Sequence, residues 1–306
     1  MKLTPTDKER LLKARRTLLT WFAKHGRSFF WRRKERDPYI VLVAELMLQQ
    51  TQASRVDEYL PKFLDRFPSI QHLAKANTSD VIKMWQGLGY NRRALNLQRA
   101  AQQVINEYAG IFPSDEKSLL ALPGVGLYTA RALQAFSFGK DVSVVDVNIE
   151  RVISRITRRM RSSSDMLPMT DVHSINEAIL PKGKSEQWHE ALMDLGATIC
   201  KKNPKCDVCP LQKSCASYTT LSKQEVTAAP KKTNEKQYFG SPKRIWRGRV
   251  LKHISSTEKT TTKEILKAIR SYSTDSKEFE AFIDIVIADL IKDGFIIKSG
   301  RSISLR

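Results

Sequence analysis

The sequence of 306 residues is short of acidic side chains. It has 32 Asp and Glu against 52 Lys and Arg, which gives a net charge of +20 and a pI near 9.9. Such an excess of positive charge favours polyanionic partners, of which nucleic acid is the most common. A basic protein without such a partner is the alternative, and the hairpin motif described below makes it the weaker interpretation.

Long apolar runs, an apolar N-terminus and internal repeats are absent as well. No apolar run approaches the ~20 residues that a membrane-spanning helix needs, and the N-terminus, Met1-Lys-Leu-Thr-Pro5, is too polar for a secretory signal. We therefore expect a cytoplasmic, DNA-associated monomer without a membrane anchor. Alternation of period two is almost absent before residue 240, which predicts a mainly α-helical fold.

Cysteine is confined to one segment, with the spacing C-x5-C-x2-C-x5-C: Cys200, Cys206, Cys209 and Cys215. An intracellular chain with no cysteine elsewhere argues against disulfides. Structural zinc sites usually use two close pairs of ligands, and only Cys206 and Cys209 form such a pair. Four thiolates in one compact loop therefore favour a [4Fe–4S] cluster over zinc.

The segment Leu122–Gly126 carries two glycines directly before a run that fits a helix, residues 128–136. Gly124 and Gly126 can both take a positive φ without a Cβ penalty, so the turn can point backbone N–H groups at a phosphate. With a preceding helix at 116–122, the pattern predicts a helix-hairpin-helix; a plain tight turn is the alternative. Downstream, Asp146 stands among four valines, where an unpaired carboxylate is costly. We interpret Asp146 as a catalytic residue.

Three other segments place polar groups in unusual settings. Glu45 is the single acid of a mostly apolar helix predicted at 39–52, so we expect it to be buried with a raised pKa; an exposed glutamate is the alternative. In the aromatic and basic loop at 27–33, Trp31 and Arg32 can contact a base or anchor the core. The turn at 87–93 presents Tyr90 and two arginines, which suits wedging into a duplex and holding phosphates.

The C-terminal part has a different pattern. Residues 218–244 are polar and irregular, and we expect a basic linker or an arm that contacts DNA. Three predicted helices, 245–254, 262–270 and 277–292, are followed by a hairpin signal around Ser299-Gly300. This predicts a small winged-helix-like α+β domain at 245–306, which either contacts DNA phosphates or has a structural or partner-binding role.

Glu45, the Leu122–Gly126 turn, Asp146 and the four cysteines together resemble the helix-hairpin-helix DNA glycosylase superfamily. From about residue 10 to 217 the chain is most similar to the MutY adenine glycosylases, through these phrases: Trp31-Arg32, Asp37-Pro38-Tyr39, Glu45-Leu-Met-Leu-Gln-Gln-Thr-Gln52, Gly87-Leu-Gly-Tyr90 and Ala191-Leu-Met-Asp-Leu-Gly-Ala197. The resemblance implies a core at 1–217 with two all-α lobes, a helical barrel at about 30–140 and a cluster lobe from 1–29 and 141–217. It also implies that DNA binds across the cleft and that the target base is flipped out.

The same resemblance implies roles for single residues. Glu45 would protonate the adenine ring and later assist the attack of water, and Asp146 would stabilise the oxocarbenium-like sugar. Two carboxyl groups divide the work in the same way in glycoside cleavage. The lysine position of strand-cleaving members is Tyr128 here, which implies a monofunctional enzyme. The remaining roles concern the DNA: Gln50 and Tyr90 fill the gap in the strand, and Tyr128, Asn148 and Glu190 line the base pocket.

Three departures from the adenine branch bear on specificity. Val147 replaces the usual glycine, the first cysteine gap is five residues rather than six, and the short tail replaces the Nudix-like domain that reads 8-oxoguanine. We predict a glycosylase that removes adenine opposite G or 8-oxoguanine from mismatched double-stranded DNA. The alternatives are a thymine or uracil glycosylase at G mismatches and a non-catalytic, cluster-bearing DNA-binding regulator. A regulator needs neither Glu45 nor Asp146.

Overall fold

The computed structural model describes residues 3–32, 36–160, 165–222, 235–272 and 276–306. Within these ranges the chain is mainly α-helical, as the sequence predicts, with two short antiparallel hairpins near the C-terminus. Residues 223–234 of the predicted basic linker lie outside the described residues. None of the helices in the described ranges has the length and apolar character needed to cross a bilayer.

The chain divides into two compact units. The first comprises Met1–Val41, Ser114–Ala121 and Val125–Lys231, and the second comprises Leu42–Pro113, Leu122–Gly124 and Lys232–Arg306. These bounds differ from the predicted lobes at 30–140 and 141–217, because α7 (Glu116–Leu120) and α8 (Leu127–Phe136) pack with each other and α8 also packs on α11 (Ser185–Thr198). The C-terminal module, predicted as a separate domain, belongs to the second unit.

The first unit is built on long amphipathic helices. Its core joins α1, α9, α10 and α11 through residues such as Leu18, Ile153 and Trp188. Helix α1 begins after its N-cap Thr4, whose side chain accepts from Asp7 N. The helices of this unit are α1 (Pro5–His25), α7 (Glu116–Leu120), α8 (Leu127–Phe136), α9 (Val147–Thr157), α10 (Met169–Ile179), α11 (Ser185–Thr198) and α12 (Tyr218–Leu221), and α2 (Pro38–Leu48) starts in it.

The second unit has a core that the sequence did not predict. Ile82 and Leu95, on helices α5 and α6, pack against apolar residues of the C-terminal module, including the fully buried Trp246. The helices are α3 (Ala53–Arg66), α4 (Ile70–Lys75), α5 (Thr78–Met84), α6 (Arg92–Glu107), α13 (Lys243–Ser255), α14 (Thr262–Ile269) and α15 (Lys277–Lys292). Hairpin β1–β2 (Gln237–Tyr238, Ser241–Pro242) precedes α13, and hairpin β3–β4 (Ile296–Ser299, Ser302–Leu305) ends the chain.

The helices of the C-terminal module lie close to their predicted positions, whereas α2 ends at Leu48 instead of residue 52. Helices α4 and α12 were not predicted, and α12 begins the segment at 218–244 that was expected to be irregular. Helix α4 has six residues and α12 has four, so the apolar pattern covers less than two turns in each and gives a weak signal. The predicted terminal hairpin is confirmed, and an isolated bridge between Thr260 and Ile303 joins it to the segment before α14.

Candidate functional site

Asp146 is the N-cap of α9, and its carboxylate is held by three hydrogen bonds. Asn148 N and Ile149 N donate to Oδ1 at 3.0 and 2.7 Å, and Asn148 Nδ2 donates to Oδ2 at 2.8 Å. The side chain is half-buried, while Val147 beside it is 69% exposed. The carboxylate among the four valines is therefore paired, which avoids the cost of leaving it without partners. The capping bonds fix the orientation of the carboxylate, and the helix N-terminus favours its negative charge.

The segment leading to Asp146 is fixed by a buried histidine that the sequence analysis missed. Val144 N donates to His189 Nε2 at 3.1 Å, and Nδ1 of the same ring lies 2.7 Å from the Ser185 carbonyl, to which it donates as the neutral tautomer. Burial lowers the pKa of His189 to about 4, so the ring is neutral near pH 7. His189 thus anchors the strand-like segment before Asp146 to α11.

Arg151 connects the Asp146 loop with the cysteine segment. Its guanidinium donates to Asn148 Oδ1 at 2.8 Å, to the Gly196 carbonyl at 2.8 Å and to the Cys200 carbonyl at 2.7 Å. A Cβ on Gly196 would come within 2.6 Å of Asn148 Cβ, so only glycine allows this close packing of α11 on α9. Asn148 is thereby locked between Asp146 and Arg151.

The four predicted metal ligands come together. Cys200, Cys206, Cys209 and Cys215 line one cavity, together with Arg155 and Pro204 among others. Burial raises the pKa of Cys209 to about 12 and that of Cys215 to about 11, so a bound cation is what would favour their thiolate forms. Among the described residues, no cluster of His, Cys, Asp or Glu is arranged at metal-binding geometry. The sulfur donor set and the shared cavity nevertheless fit a metal–sulfur group.

The loop at 27–32 is attached to α11 by a buried ion-pair network. Asp194 is fully buried and accepts from Arg27 N at 2.7 Å and from Arg32 Nη1 at 3.0 Å. Glu190, also buried, pairs with Arg32 at 3.2 Å and Arg36 at 2.8 Å. Arg32 and Glu190, two of the side chains that were predicted to contact a base, thus have protein partners as well. Trp31 stacks on Phe29 with ring centroids 4.6 Å apart.

The helix-hairpin-helix is formed by α7 and α8. Gly124 has a φ of +83°, and a Cβ there would lie 2.9 Å from Asn96 Cβ, so this position requires glycine. Gly126 has a φ of −94°, so it does not use the positive φ that glycine permits. It is the N-cap of α8 and its carbonyl accepts from Ala130 N at 2.9 Å. Tyr128, half-buried, is the second residue of α8.

Glu45 lies in the second unit and is 5% exposed, which confirms the predicted burial. Its neighbours along α2 are buried and apolar from Val41 to Met47. The end of this helix is held by Arg93, which donates to the carbonyls of Leu46 and Met47 at 2.8 Å each. The sequence therefore located a carboxyl group in a dry environment, and the structure shows how its helix is anchored.

Arg93 was predicted to hold a phosphate, and this prediction is wrong. Its side chain is 7% exposed, and besides α2 it bonds the carbonyls of Leu88, Gly89, Tyr90 and Gln49. Burial lowers the pKa of Arg93 to about 10, which still leaves the guanidinium charged near neutral pH. Arg92 is exposed but paired with Asp293. Arg93 thus ties the end of α2 to the turn at 87–90.

Gln50 and Tyr90, the predicted gap-filling residues, line one cavity of the second unit. Both have a positive φ, +60° for Gln50 and +45° for Tyr90, which is uncommon for residues with a Cβ. Backbone strain of this kind is often retained at functional sites. The Tyr90 side chain is 49% exposed.

Sequence patterns gave no signal for Asp194 and His189 beyond their position on an apolar helix, and none for the burial of Arg93. Their partners lie far away in the sequence: Arg32 and Asp194, for example, are 162 residues apart. The Asp146–Asn148 pair was detectable, because an Asp before a helical run followed by a polar residue is a common N-cap signature.

Comparisons with known proteins agree with this geometry. Residues 43–175 match the HhH-GPD superfamily of base excision DNA repair proteins. The adenine DNA glycosylase of Mycobacterium tuberculosis is 32% identical over 277 residues, which cover 90% of this chain and 88% of that protein. The adenine DNA glycosylase of Homo sapiens is 33% identical over 224 residues, which cover 70% of this chain and 41% of that protein.

Two solved structures are similar to the chain. A thermostable thymine-DNA glycosylase has 34% identity and a TM-score of 0.64, covering 71% of this chain and 99% of that one. A non-covalent complex of endonuclease III with DNA has 23% identity and a TM-score of 0.62, covering 73% and 100%, and supports the fold alone. With the family match and the extent of these similarities, the chain belongs to the HhH-GPD superfamily of base-excision repair proteins and is a DNA N-glycosylase.

Proposed function

We propose that the protein removes adenine paired with G or 8-oxoguanine from double-stranded DNA by hydrolysing the N-glycosidic bond. The observation that carries the proposal is the similarity to an adenine DNA glycosylase over 90% of this chain. The superfamily match at 43–175 spans both Glu45 and Asp146. A regulator without catalysis has no need of these two carboxyl groups, and the chain's place among the glycosylases leaves that alternative without support.

In this proposal Glu45 and Asp146 have different tasks. Glu45 donates a proton to a ring nitrogen of the flipped adenine, so that the base leaves as a neutral molecule with the bonding electrons. The sugar that remains has oxocarbenium character, and the Asp146 carboxylate stabilises its positive charge. Water then attacks the sugar, and Glu45 takes up a proton from it. The dry environment of Glu45 and the three hydrogen bonds on Asp146 support this assignment.

The other site residues bind the DNA in this proposal. Tyr128, Asn148 and Glu190 line the base pocket, with Glu190 retaining its arginine partners while it accepts from the adenine edge. Gln50 and Tyr90 fill the gap left by the flipped base. Unstacking that base from the duplex costs a few kcal/mol of free energy. Three further contacts complete the interface: Trp31 and Arg32 approach the base, and the Gly124–Gly126 turn holds a phosphate. The charge of +20 supports binding to DNA, and we propose that the protein acts as a monomer in the cytoplasm.

We propose that the four cysteines hold a [4Fe–4S] cluster, which supplies a structural centre capable of electron transfer. Purified protein should then be brown and contain iron, and Cys200→Ser should lower the iron content. Metal analysis that finds one zinc and no iron would contradict the assignment, and the short first cysteine gap makes this measurement informative.

The enzyme should be monofunctional, cleaving the glycosidic bond but not the strand. Strand cleavage in this superfamily requires an amine that forms a Schiff base with the opened sugar, and the phenol of Tyr128 cannot form one. Borohydride should therefore trap little protein on DNA. Efficient trapping would disprove monofunctionality, and loss of trapping in Lys140→Gln would identify the amine.

A thymine or uracil glycosylase acting at G mismatches is the second candidate. It is favoured by the similarity to a thymine-DNA glycosylase at 34% identity and by Val147, where the adenine branch has glycine. Single-turnover assays on duplexes that pair A, T or U with G, 8-oxoguanine or C, followed by alkali, separate the two candidates. Removal of A opposite G or 8-oxoguanine is expected; removal of T or U alone would refute the adenine proposal.

A further inference from the structure

The segment that leads to Asp146, residues 142–145, is largely buried but belongs to no helix or strand. Ser143 and Val144 are 1% and 0% exposed, so their backbone polar groups need partners within the protein. Side chains of α8, α10 and α11 supply these partners. The bonds run from Ser185 Oγ to the Val142 carbonyl (3.2 Å), from Arg131 Nη1 to the Ser143 carbonyl (3.5 Å), from Val144 N to His189 Nε2 (3.1 Å) and from Asn176 Nδ2 to the Val144 carbonyl (3.4 Å).

Asn176 on α10 is the centre of this arrangement, because it is fully buried and has partners at both ends of its amide. Its Oδ1 accepts from the indole N–H of Trp188 at 2.8 Å. Since an indole N–H can only donate, this bond decides which end of the amide is the oxygen. Asn176 Nδ2 therefore faces Ser143 Oγ and His189 Nε2, each at 2.9 Å. The amide thus joins the buried segment to both α10 and α11.

The directions of the remaining hydrogen bonds follow from a second group that can only donate. Ser143 Oγ accepts from Asn176, so its own proton is available for His173 Nδ1, which lies 3.0 Å away. The guanidinium of Arg131, which is paired with Glu116 of α7, lies 3.1 Å from the same ring nitrogen. His173 Nδ1 is therefore an acceptor and the ring is neutral. Burial, followed by the charge of Arg131, lowers the pKa of His173, in keeping with this assignment.

We propose that Asn176 is a positioning residue for base removal, which holds the buried segment before Asp146 so that the carboxylate meets the sugar in the productive position. The proposal rests on the proposed function in taking Asp146 as the group that stabilises the sugar cation. Asn176 and its partner Ser143 act only through Asp146 and contact no part of the DNA. A misplacement of about 1 Å can slow a reaction about 100-fold, so the hold on this segment bears directly on the rate.

Two variants weaken the hold to different extents, and one control is matched to them. Asn176→Ala removes the whole amide, whereas Ser143→Ala removes only the hydroxyl between Asn176 and His173. Ser154→Ala makes the same substitution as Ser143→Ala at another fully buried serine, whose Oγ accepts from Leu167 N at 3.1 Å. Ser154 lies in the C-terminal half of α9, away from the segment before Asp146. Thermal unfolding checks that each variant is folded at the assay temperature.

The rate of base removal and the affinity for DNA are measured separately. The rate comes from single turnovers at saturating enzyme, and the Kd from the same duplex with a non-hydrolysable analogue of the target nucleotide. We expect Asn176→Ala to slow base removal by about 10- to 100-fold, with a Kd within about threefold of the wild type. Ser143→Ala should slow it by more than about threefold, and Ser154→Ala by less. Equal losses of rate and affinity, or rates for Asn176→Ala and Ser143→Ala equal to that of Ser154→Ala, would overturn the proposal.

The decisive measurement is the effect of Asn176→Ala in an Asp146→Asn background. A residue that acts only through the charge of Asp146 then has nothing left to position, so the residual rate should change by less than about threefold. A merely structural role would lower the residual rate by the same factor as it lowers the wild-type rate, and this result would refute the positioning role. Ser143→Ala is combined with Asp146→Asn in the same way, so the test remains decisive even if Asn176→Ala does not fold.

The same measurements separate this proposal from the proposed function. If the wild type removes thymine and not adenine, the base assignment fails, and the variants are compared on the duplex that reacts. If Asp146→Asn reacts nearly as fast as the wild type, the proposed chemistry fails. If Asp146→Asn is slow and Asn176→Ala lowers the rate equally in both backgrounds, the positioning role of Asn176 fails alone.

Discussion

Asp146→Asn separates the two tasks of this side chain, capping α9 and stabilising a positive charge. Asn is nearly as good an N-cap as Asp, and its Oδ1 can accept from Asn148 N and Ile149 N as Asp146 does. In the variant, an amide NH2 group replaces Asp146 Oδ2, which accepts from Asn148 Nδ2 at 2.8 Å in the wild type. Two donors then face each other. Asn148 cannot turn its own oxygen towards that group, because Arg151 donates to it at 2.8 Å.

The expected loss of stability is therefore one hydrogen bond, about 1 kcal/mol, or a fall in Tm of roughly 2–4 °C. The expected loss of activity is much larger. A carboxylate about 4 Å from a unit positive charge contributes roughly 4 kcal/mol at an effective dielectric constant of about 20. Because each 1.36 kcal/mol is about a factor of ten in rate, we expect base removal to slow by about 1,000-fold.

The assay is single-turnover base removal at saturating enzyme, with thermal unfolding and duplex affinity measured on the same preparations. Asp115→Asn is the matched control, since Asp115 caps α7 and its Oδ1 accepts from Ser118 N at 2.9 Å. The control makes the same substitution at another helix N-terminus in the first unit. It should leave the rate within about threefold of the wild type, because Asp115 has no part in the proposed chemistry.

Two results would refute the reasoning. A rate for Asp146→Asn within tenfold of the wild type would mean that the charge does not act in the transition state. A fall in Tm much larger than that of Asp115→Asn, together with lost duplex binding, would mean that the residue is needed for structure and that the rate says little about charge.

Two further predictions concern residues that the sequence analysis did not assign correctly. Arg93→Lys should lower the free energy of unfolding by about 3 kcal/mol in urea titrations, because several backbone carbonyls lose a charged donor. The control is Arg92→Lys at an exposed ion pair, which should lower the free energy of unfolding by less than about 1 kcal/mol. Equal losses in the two variants would contradict the structural role of Arg93. For His189, burial lowers the pKa from the ordinary 6.5 to about 4, so the unfolded chain binds more protons between these values. Stability should therefore be full above pH 6.5 and fall by about 3 kcal/mol as the pH drops towards 4, and this slope should flatten in His189→Gln; an unchanged slope would place the titration elsewhere.

The order of the helices, the hairpin around Gly124 and the burial of Glu45 could all be predicted from the sequence. Each depends on a local signal: apolar periodicity, a glycine at a required positive φ, or one acid in an apolar helix. The grouping of the four cysteines was also predictable, because ligands close in the sequence are necessarily close in space. Features of this kind depend on residues that are close together in the sequence, so the sequence alone is sufficient to predict them.

The partners of the charged side chains could not be read in this way. Arg93 and Arg92 are adjacent in the sequence, yet one is buried against backbone carbonyls and the other lies on the surface paired with Asp293. The residue order specifies two arginines in a turn, and only the packing of α2 on that turn decides which of them is buried. The same holds for Arg32, whose partner Asp194 is 162 residues away.

The packing partners of the C-terminal module could not be predicted from the sequence either. The amphipathic patterns predicted its helices and terminal hairpin, but an apolar stripe does not specify the surface that it covers. Only the tertiary structure joins Trp246 to a core that includes Ile82 and Leu95, and this packing places Gly248 in the cavity that contains Tyr90. Local sequence determined the elements; burial of apolar surface between distant segments decided which side chains meet.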